Sequence, residues 1–324
     1  MREDTQTFKG QLVSLILERR LPWRVSQWLY HRRLAAVRRF YDHRVLSTRP
    51  YITGKECPDF EVHALLGHKH VGMCLWSVKS FLHFSGGAYS VVLHDDGSLT
   101  RRDVDILRAH LVDARIVRKG DADEAIRDKI AAFPNCCDYR FERNLTTDHR
   151  GGKYNMYIFA LRLFDFNLLS DARKILVLDV DVLFFKEPRE IVAWVRDASS
   201  TGSLYSVEQY VPRRNARYEV VGFDRRETAP IWANAGLLCF AKSAFSLESI
   251  EGWIARDRAM MDKYATFEQR MYNLLLQRWG GAIPLPDSYA FNYTDEDVVA
   301  THFAIKHLFF DNVPRLQDAF SRSQ

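Results

Sequence analysis

The spacing of hydrophobic positions changes along this chain and divides it into two parts. Between residues 8 and 46, apolar residues recur at helical intervals, which predicts two helices separated at Leu21-Pro22. From about residue 56, short apolar runs alternate with amphipathic stretches, as expected for strands and helices in turn. We therefore expect a helical appendage over residues 1–55 and one larger domain over residues 56–324.

The larger domain begins with strands and helices in alternation. Strands are predicted over residues 60–66, 89–93, 114–117 and 174–178, and helices over residues 71–82, 101–110, 121–132 and 153–169. Thr100, with Asp103 three residues later, has the spacing of a capping box at the start of the second of these helices. Residues 136–149 are polar and are predicted to be irregular. This order predicts an α/β fold with a mostly parallel, Rossmann-like sheet and flanking helices.

Two carboxylates follow the apolar run at residues 174–178. Asp179 and Asp181 are two positions apart, so on an extended chain their side chains point to the same side. The carboxyl ends of strands are where open α/β sheets bind ligands. Two carboxylates this close repel each other unless a cation lies between them, and Mg²⁺ or Mn²⁺ suits oxygen ligands. The pattern predicts a divalent metal site; the alternative is a turn with two solvated aspartates.

Composition and charge narrow the choice of partners. The 324 residues are 47% hydrophobic, which excludes disordered and collagen-like chains. Residues 1–50 carry eleven Lys and Arg against four Asp and Glu, a net charge of +7, so the remainder of this +5 protein sums to −2. We therefore expect no nucleic-acid partner. The basic, aromatic-containing helices favour an anionic membrane surface or an acidic partner; the alternative is a helical cap with a solvated basic face.

The cysteines and the apolar runs bear on location. The five cysteines form an odd set without CxxC spacing, which disfavours a zinc site or a disulfide framework and favours a reducing cytosol. No apolar run approaches the roughly 18 to 20 residues of a membrane-spanning helix, and no signal peptide fits the first residues. We expect a cytoplasmic protein, peripheral on the inner face of a membrane.

Asp179-Val180-Asp181 resembles the DxD motif of GT-A-fold glycosyltransferases, in which the aspartates hold a metal against the diphosphate of a nucleotide-sugar. Further motifs follow in the order of the family-eight-like members, over roughly residues 58–310. Arg162 precedes the DxD by 17 residues, as does a donor-contacting Arg or Lys in that family. Asn234-Ala235-Gly236 resembles the family's N-(A/S)-G, where the Asn contacts sugar hydroxyls and the Gly lets the backbone approach closely.

The C-terminal motifs resemble the family with departures. Glu268-Gln269 resembles the D-Q-D-x-x-N helix start near the transferred sugar, but Glu replaces the first Asp and Arg270 the second. His302, after an LP…Y element, resembles the family's third metal ligand. The family's Gly and Lys-Pro-Trp do not follow; Lys306 instead lies at a shorter spacing from the histidine than the family's phosphate-binding Lys.

The resemblance implies a GT-A fold and a metal-dependent glycosyltransferase that moves a sugar from a nucleotide-diphosphate donor, with UDP-sugar favoured, to a saccharide, lipid-linked or protein acceptor. It implies that Asp179, Asp181 and His302 are metal ligands. It implies that Glu268 and Gln269 are catalytic. The donor-binding residues that it implies are Arg162, Asn234, Gly236, His68, Asp95 and Lys306. Structural alternatives remain: Arg162 as a surface helix charge, Asn234 as a strand cap, Glu268 as a helix cap, Asp95 as a turn residue and His302 as a structural histidine.

Two other functions stay open. A haloacid-dehalogenase-like phosphatase also has an apolar strand that ends in DxDx(T/V), with Asp179 as its nucleophile. A non-catalytic nucleotide-sugar or membrane-docking protein could retain the fold without turnover. Within the glycosyltransferase hypothesis, Glu268 is the base if the reaction inverts the sugar. If the reaction retains, the leaving phosphate takes the proton, and Glu268 and Gln269 position the sugar.

Overall fold

The computed structural model describes residues 23–54, 56–142, 146–147, 153–154, 156–208, 231–256, 258 and 267–321. The first of the two predicted N-terminal helices lies outside the described residues. The helices in chain order are α1 Trp23–Val45, α2 Val71–Ser85, α3 Arg101–His110, α4 Lys119–Ile130, α5 Pro134–Cys137, α6 Met156–Leu168, α7 Arg189–Arg196, α8 Leu247–Arg256, α9 Phe267–Trp279 and α10 Lys306–Ser321.

The strands are short except in the middle of the central sheet. They are β1 Tyr51–Ile52, β2 Phe60–Leu66, β3 Ser90–Asp95, β4 Leu111–Val112, β5 Arg115–Val117, β6 Thr146–Thr147, β7 Lys153–Tyr154, β8 Lys174–Leu178, β9 Val182–Phe184, β10 Ser203–Val207, β11 Ala233–Ala241, β12 Ala282–Pro284, β13 Tyr289–Phe291 and β14 Ala300–His302.

Seven strands form the central sheet in the order β12-β10-β11-β8-β2-β3-β5. The four strands from β8 to β5 are parallel, as the strand and helix alternation predicts. β11 runs antiparallel to both β8 and β10, and β12 is parallel to β10. All five residues of β8 are buried, because helices cover both faces of a parallel sheet. The predicted mostly parallel α/β fold is confirmed.

The residues of β8 divide between two hydrophobic cores, one on each face of the sheet. Leu176 and Leu178 belong to a core with α2, α7 and α10. Ile175 and Val177 belong to a second core with α6, α8 and α9. This alternation follows from the two-residue period of a strand. Since every β8 side chain packs against a helical layer, the end of this strand is held firmly where the two aspartates follow.

A second sheet of three strands, in the order β13-β14-β9, lies beside the end of β8. β14 is antiparallel to β9, and His302 is opposite Val182 in the register. The Phe303 N–H donates to the Asp181 carbonyl over 2.8 Å. This pairing carries the C-terminal histidine to the turn that holds the carboxylates, although more than 120 residues separate them in the chain.

Helix α1 packs on α2 and α10. Its inward face carries Leu34, Val37, Tyr41 and Val45, which join the first core. The Tyr41 ring stacks on that of Phe310 in α10, with centroids 6.2 Å apart. This face has the packing expected of a helical cap, whereas large apolar side chains on the opposite face, Trp28 and Phe40 among them, are exposed. The division of the chain near residue 55 stays a prediction.

Two segments differ from the sequence prediction. Residues 136–149 were expected to be irregular, but α5 and the π-helical turn Asp138–Glu142 occupy their first part. Pro134 lies in the first turn of α5, where its fixed φ suits a helix start, and the Glu251 carboxylate accepts the N–H groups of Asn135 and Cys136. The helix expected from residue 153 is observed as α6, because Lys153–Tyr154 pairs with β6 instead.

Among the described helices, none is long and apolar enough to cross a membrane.

Candidate active site

A tight turn between β8 and β9 holds the two aspartates. The Asp179 N–H donates to the Gly236 carbonyl of β11 over 2.8 Å, and the Val182 N–H closes the turn onto the Asp179 carbonyl over 3.1 Å. The Ser77 hydroxyl of α2 donates to that same carbonyl over 3.0 Å. Asp179 is partly exposed and Asp181 is buried. The backbone of the turn is thus fixed from both neighbouring elements, and its carboxylates lie together at the sheet edge.

His302 completes a three-residue cluster. Its Nε2 lies 3.2 Å from Asp181 Oδ1 and 3.6 Å from Asp179 Oδ2. One ligand atom from each residue lies within 4.8 Å of the other two. Two carboxylate oxygens and an imidazole nitrogen form a donor set suited to Mn²⁺ and similar divalent cations. The three residues fit a divalent cation in position and in chemistry.

Asn234 in β11 sets the orientation of the His302 ring. Its Oδ1 lies 2.8 Å from His302 Nδ1 and accepts the Gly236 N–H over 2.8 Å, while its Nδ2 donates to Glu208 over 2.8 Å. These three partners assign the Asn234 amide, so His302 Nδ1 carries a proton and Nε2 faces the carboxylates. Burial lowers the pKa of His302, but the Asp181 and Asp179 carboxylates outweigh it and raise the pKa above its usual value.

Gly236 allows the close contact between β11 and the His302 ring. A Cβ at this position would lie 2.4 Å from two atoms of that ring and 2.9 Å from Asn234 Oδ1. Any side chain would therefore displace the histidine. The asparagine and the glycine of the Asn-Ala-Gly motif thus act together, because one orients the imidazole and the other makes room for it.

Lys306, the first residue of α10, forms an ion pair with Asp181 Oδ2. Burial raises the pKa of Asp181, but His302 and Lys306 outweigh it and hold the pKa below its usual range. The turn between the histidine and the lysine is held by Asn292, which has a φ of 51°. The Asn292 N–H donates to the His302 carbonyl over 2.9 Å, and its Oδ1 accepts the Ile305 N–H over 3.0 Å.

Arg162 in α6 lies behind the carboxylate turn and is 7% exposed. Its Nη1 is 3.2 Å from Asp179 Oδ1, its Nη2 is 3.4 Å from Glu268 Oε1, and it donates to the Ala235 carbonyl. Burial lowers the pKa of Arg162, but the two carboxylates outweigh it and raise the pKa. The alternative of a surface helix charge is wrong, because the guanidinium is buried between two acids.

Glu268 and Gln269 lie in the first turn of α9, against the edge of the β11 backbone. Gln269 Oε1 accepts the Ala235 N–H over 3.1 Å. Glu268 is 1% exposed, and its Oε1 has no hydrogen-bond partner among the described residues. Burial raises the pKa of Glu268 to about 7; Asp179 adds to this rise, and Arg162 opposes it. A carboxyl group of this pKa can hold or release a proton near neutral pH.

His68 and Asp95 have partners outside the carboxylate cluster. Exposed His68, after β2, places its Nδ1 2.8 Å from Asp103 Oδ2. Asp95, the last residue of β3, lies 3.1 Å from Arg118 Nε, and its Oδ1 accepts two backbone N–H groups of the following turn. The structure therefore brings together the other nine candidates and leaves these two at the neighbouring strand ends.

One polar residue of this region was missed in the sequence. Glu208 follows β10 and accepts from the Asn234 amide; a carboxylate directly after a strand, as at Asp179, is the signal that could have found it. His70 ends the 3₁₀ turn His68–His70 and lies within electrostatic reach of Lys306 and Asp181. Burial is the main cause that lowers the pKa of His70.

Comparison with known proteins identifies the fold. No protein-family model matches the sequence, and no curated protein matches it. The solved structure of galactosyltransferase LgtC with donor and acceptor sugar analogues superposes with a TM-score of 0.55 at 14% identity, over 81% of this chain and 95% of that one. Mouse xyloside xylosyltransferase 1, in its apo form, superposes with a TM-score of 0.50 at 13% identity, over 76% of this chain and 98% of that one. This chain has the GT-A fold.

The GT-A fold agrees with the fold implied by the DxD resemblance. Within it, Asp179 and Asp181 follow β8 of the central sheet, and His302 arrives from the smaller sheet. At 13% to 14% identity the likeness concerns the fold. The functional argument therefore depends on the side chains at this strand edge.

Proposed function

We propose that this chain is a metal-dependent glycosyltransferase that moves a sugar from a nucleotide-diphosphate donor to a saccharide, lipid-linked or protein acceptor. The observation that carries the proposal is the Asp179, Asp181 and His302 cluster, with its ligand atoms within 4.8 Å of one another at the carboxyl end of a GT-A sheet strand. LgtC, which shares this fold, is a galactosyltransferase with donor and acceptor sugar analogues bound. We propose Mn²⁺ or Mg²⁺ as the ion and a UDP-sugar as the donor.

The cationic groups of the site suit the leaving group of such a reaction. Cleavage of the bond between sugar and phosphate leaves a diphosphate with additional negative charge. A divalent cation on the three ligands would supply electrophilic stabilisation of that diphosphate. Lys306 is partly exposed beside Asp181 and can contact a phosphate from the solvent side. Arg162 lies behind Asp179 and pairs with that carboxylate.

Glu268 and Gln269 are the proposed catalytic residues. Because the pKa of Glu268 is raised to about 7, this carboxyl group can accept a proton from an acceptor hydroxyl in an inverting reaction. In a retaining reaction the leaving phosphate takes that proton, and Glu268 and Gln269 position the sugar. Gln269 is held by the β11 backbone, which fixes the start of α9 relative to the metal ligands. The family-eight-like motifs favour retention.

The donor pocket is proposed to extend from the metal ligands along the neighbouring strand ends. Asn234 and Gly236 lie beside His302. His68 and Asp95 follow β2 and β3, the next two strands of the sheet. Nucleotides bind along the carboxyl ends of such strands in open α/β sheets. Contact of these last two residues with the nucleotide stays a prediction.

A donor panel tests the proposal. Thermal shifts are measured with UDP-, GDP- and CMP-sugars, with and without Mn²⁺, for the wild type, Asp179→Asn and Asp181→Asn. We expect Mn²⁺-dependent stabilisation by one donor class, and its loss, together with donor turnover, in both variants. Asp59→Asn is the matched control, since Asp59 is an exposed aspartate paired with Arg173. Wild-type turnover in both site variants would exclude the metal assignment.

The rival enzyme is tested in the same preparation. A haloacid-dehalogenase-like phosphatase requires a covalent phosphate on Asp179. In the structure, Arg162 approaches Oδ1 of Asp179 and His302 approaches Oδ2, so each carboxylate oxygen already has a neighbour. Detection of an aspartyl-phosphate by mass spectrometry would favour the phosphatase. Metal-dependent donor binding without sugar release, across a library of acceptors, would favour a non-catalytic protein.

We also propose that α1 contacts an anionic membrane surface. Its outward face carries four exposed apolar residues at helical spacing, and arginines lie among them. The exposed apolar residues are Val25, Trp28, Leu29 and Phe40, and the arginines of that face are Arg32 and Arg39. The inward face is already covered by the core. An exposed stripe of this composition suits the boundary between lipid headgroups and acyl chains.

Liposome co-sedimentation tests this contact. Trp28→Ser with Phe40→Ser is expected to weaken binding to anionic vesicles about tenfold, because two large apolar side chains leave the lipid boundary. Trp279→Ser with Ile52→Ser is the control, since both residues are exposed apolar side chains outside α1. Equal binding by the two double variants would exclude the proposed membrane face.

A further inference from the structure

A cavity of about 570 Å³ opens between α1 and the segment that follows β2. Arg38, Arg39 and His43 contribute from the helix, and Lys69 contributes from the 3₁₀ turn. Leu46 adds an apolar wall next to these basic residues. The cavity is therefore both cationic and partly apolar. It involves none of the three proposed metal ligands, and His68 of the proposed donor pocket also lines it.

Two acids line this cavity beside three cations. Asp42 pairs with Arg38 at 3.6 Å, and Asp103 holds His68 and caps α3. In the described part of the chain, neither Arg39 nor Lys69 has an acidic partner, and the buried atoms Arg38 Nη2 and Asp42 Oδ1 have no hydrogen-bond partner. With three Lys and Arg against two Asp, the lining keeps a net charge of +1. An anionic group is the ligand that complements it.

The position of the cavity indicates where the anion comes from. Arg39 lines the cavity and also lies next to Phe40 on the outward face of α1. One lining residue of the cavity is therefore on the face proposed to contact the membrane. His70, in the same 3₁₀ turn as Lys69, lies within electrostatic reach of both Arg38 and Lys306.

We propose that this cavity binds the phosphate of an anionic membrane lipid, with Arg39 and Lys69 as the cations that hold it. Arginine and lysine are suited to phosphate oxygens, and the apolar wall at Leu46 suits the carbon skeleton next to the phosphate. The proposal depends on the membrane contact of α1, and it adds selectivity for the phosphate headgroup. A soluble phosphate compound shares this chemistry, so the test separates the two sources.

The test compares vesicles of equal surface charge that differ in headgroup. Phosphatidylcholine vesicles contain either phosphatidic acid or an anionic sulfolipid, and the ratio of the two dissociation constants measures phosphate selectivity. We expect the wild type to bind phosphatidic acid vesicles about tenfold more tightly. Arg39→Gln with Lys69→Gln should bring this ratio to about one. The control, Arg24→Gln with Arg32→Gln, removes the same charge from α1 outside the cavity and should weaken both vesicles equally while the ratio is kept.

Each other outcome overturns part of the proposal. An unchanged ratio in the cavity variant would exclude the phosphate site and leave only general electrostatic binding. If the wild type bound no vesicle, the membrane contact would fail. Glycerol 3-phosphate, measured by calorimetry on the full chain, identifies the source: if the wild type binds it, the cavity variant does not, and phosphatidic acid vesicles show no preference, the cavity is assigned to a soluble phosphate and the lipid is overturned. Donor turnover with Mn²⁺ is measured in parallel, because it reports on the glycosyltransferase function independently.

Discussion

Two buried arginines contact acidic residues at α6, and they differ in how they meet those acids. Arg140 donates to both oxygens of Asp165 over 2.8 and 2.9 Å and to Asp123 over 2.8 Å. Arg162 meets its carboxylates at 3.2 and 3.4 Å, and it also donates to the Ala235 carbonyl. Short bidentate bonds hold a structure together. Longer contacts at a sheet edge leave room for rearrangement around a ligand.

The comparison shows that burial of a charge does not by itself mark a functional site. Asp165 and Glu268 are both buried acids whose pKa burial raises, to about 6 and about 7. Both oxygens of Asp165 accept hydrogen bonds from Arg140, whereas Oε1 of Glu268, 3.4 Å from Arg162 Nη2, has no hydrogen-bond partner in the described part of the chain. The second arrangement is the one available for chemistry.

The largest expected effect is on folding, at Arg140. Arg140→Ala leaves the buried Asp165 carboxylate without its partner, which costs about 3 to 5 kcal/mol in the free energy of unfolding. Donor turnover per folded molecule should be unchanged. Urea denaturation measures the loss. Arg173→Ala is the control, since its ion pair with Asp59 is exposed and screened by solvent, so its loss should be far smaller. If Arg140→Ala lost as little stability as the control, the structural role that distinguishes Arg140 from Arg162 would be contradicted.

Arg162 should show the opposite pattern. Arg162→Gln is expected to reduce kcat/KM for the donor about 10² to 10³-fold, because a preorganised cation behind the carboxylate turn is removed. The folding loss should be smaller than for Arg140→Ala, since Glu268 can take up a proton near neutral pH. Steady-state kinetics and urea denaturation on both variants check this. Similar losses of turnover in the two variants would contradict the assignment of separate roles.

Glu268→Gln should trade activity for stability in a pH-dependent way. The pKa of Glu268 is raised from 4.5 to about 7 in the folded protein, so its ionisation disfavours folding above pH 4.5. The free energy of unfolding should be the same for the variant and the wild type below pH 4.5. Between pH 4.5 and pH 7 the wild type loses stability relative to the variant, and above pH 7 the difference stays constant at up to about 3 kcal/mol. Melting curves from pH 4 to 9 test this. A constant difference across that range would contradict the raised pKa.

The smallest effect is expected at Asn292, which holds the turn between His302 and Lys306. Asn292→Ala loses a side-chain hydrogen bond and strains a left-handed backbone, at a cost of about 1 kcal/mol each. Affinity for Mn²⁺, measured by calorimetry, should fall severalfold. Asp113→Ala is a matched control, because Asp113 also has a positive φ. It should lose similar stability and keep its Mn²⁺ affinity; a parallel fall in both would assign Asn292 a purely structural role.

The sequence could predict those features that depend on residues close together in the chain. The apolar run of β8 and the two aspartates after it are local, so both the strand and the carboxylate pair could be predicted. The antiparallel β11 could not, since a buried apolar run has the same appearance in either direction. On α1, Val37 and Trp28 are both apolar at helical spacing, yet one packs inward and the other is exposed. The helical period does not reveal which face meets the rest of the protein.

The sequence also could not predict which side chains contact one another across the fold. Arg162 and Asp165 belong to one short RLFD segment, but they join different acid and base clusters. Their partners come from elements far away in the chain, and only tertiary packing selects them. The same holds for Glu208, whose contact with Asn234 requires β10 and β11 to lie side by side.

Gly236 has a consequence for the thermodynamics of the whole molecule. It lies where the central sheet meets the three-stranded sheet, and its missing side chain is what allows His302 to approach. The proposed ligand set therefore lies at the junction of the two sheets, with the aspartates in the turn between β8 and β9 and the histidine at the end of β14. Any free energy of ligand binding there also joins the sheets. Ligand binding should consequently slow amide hydrogen exchange in β13 and β14 more than in β2, β3 and β5 of the central sheet.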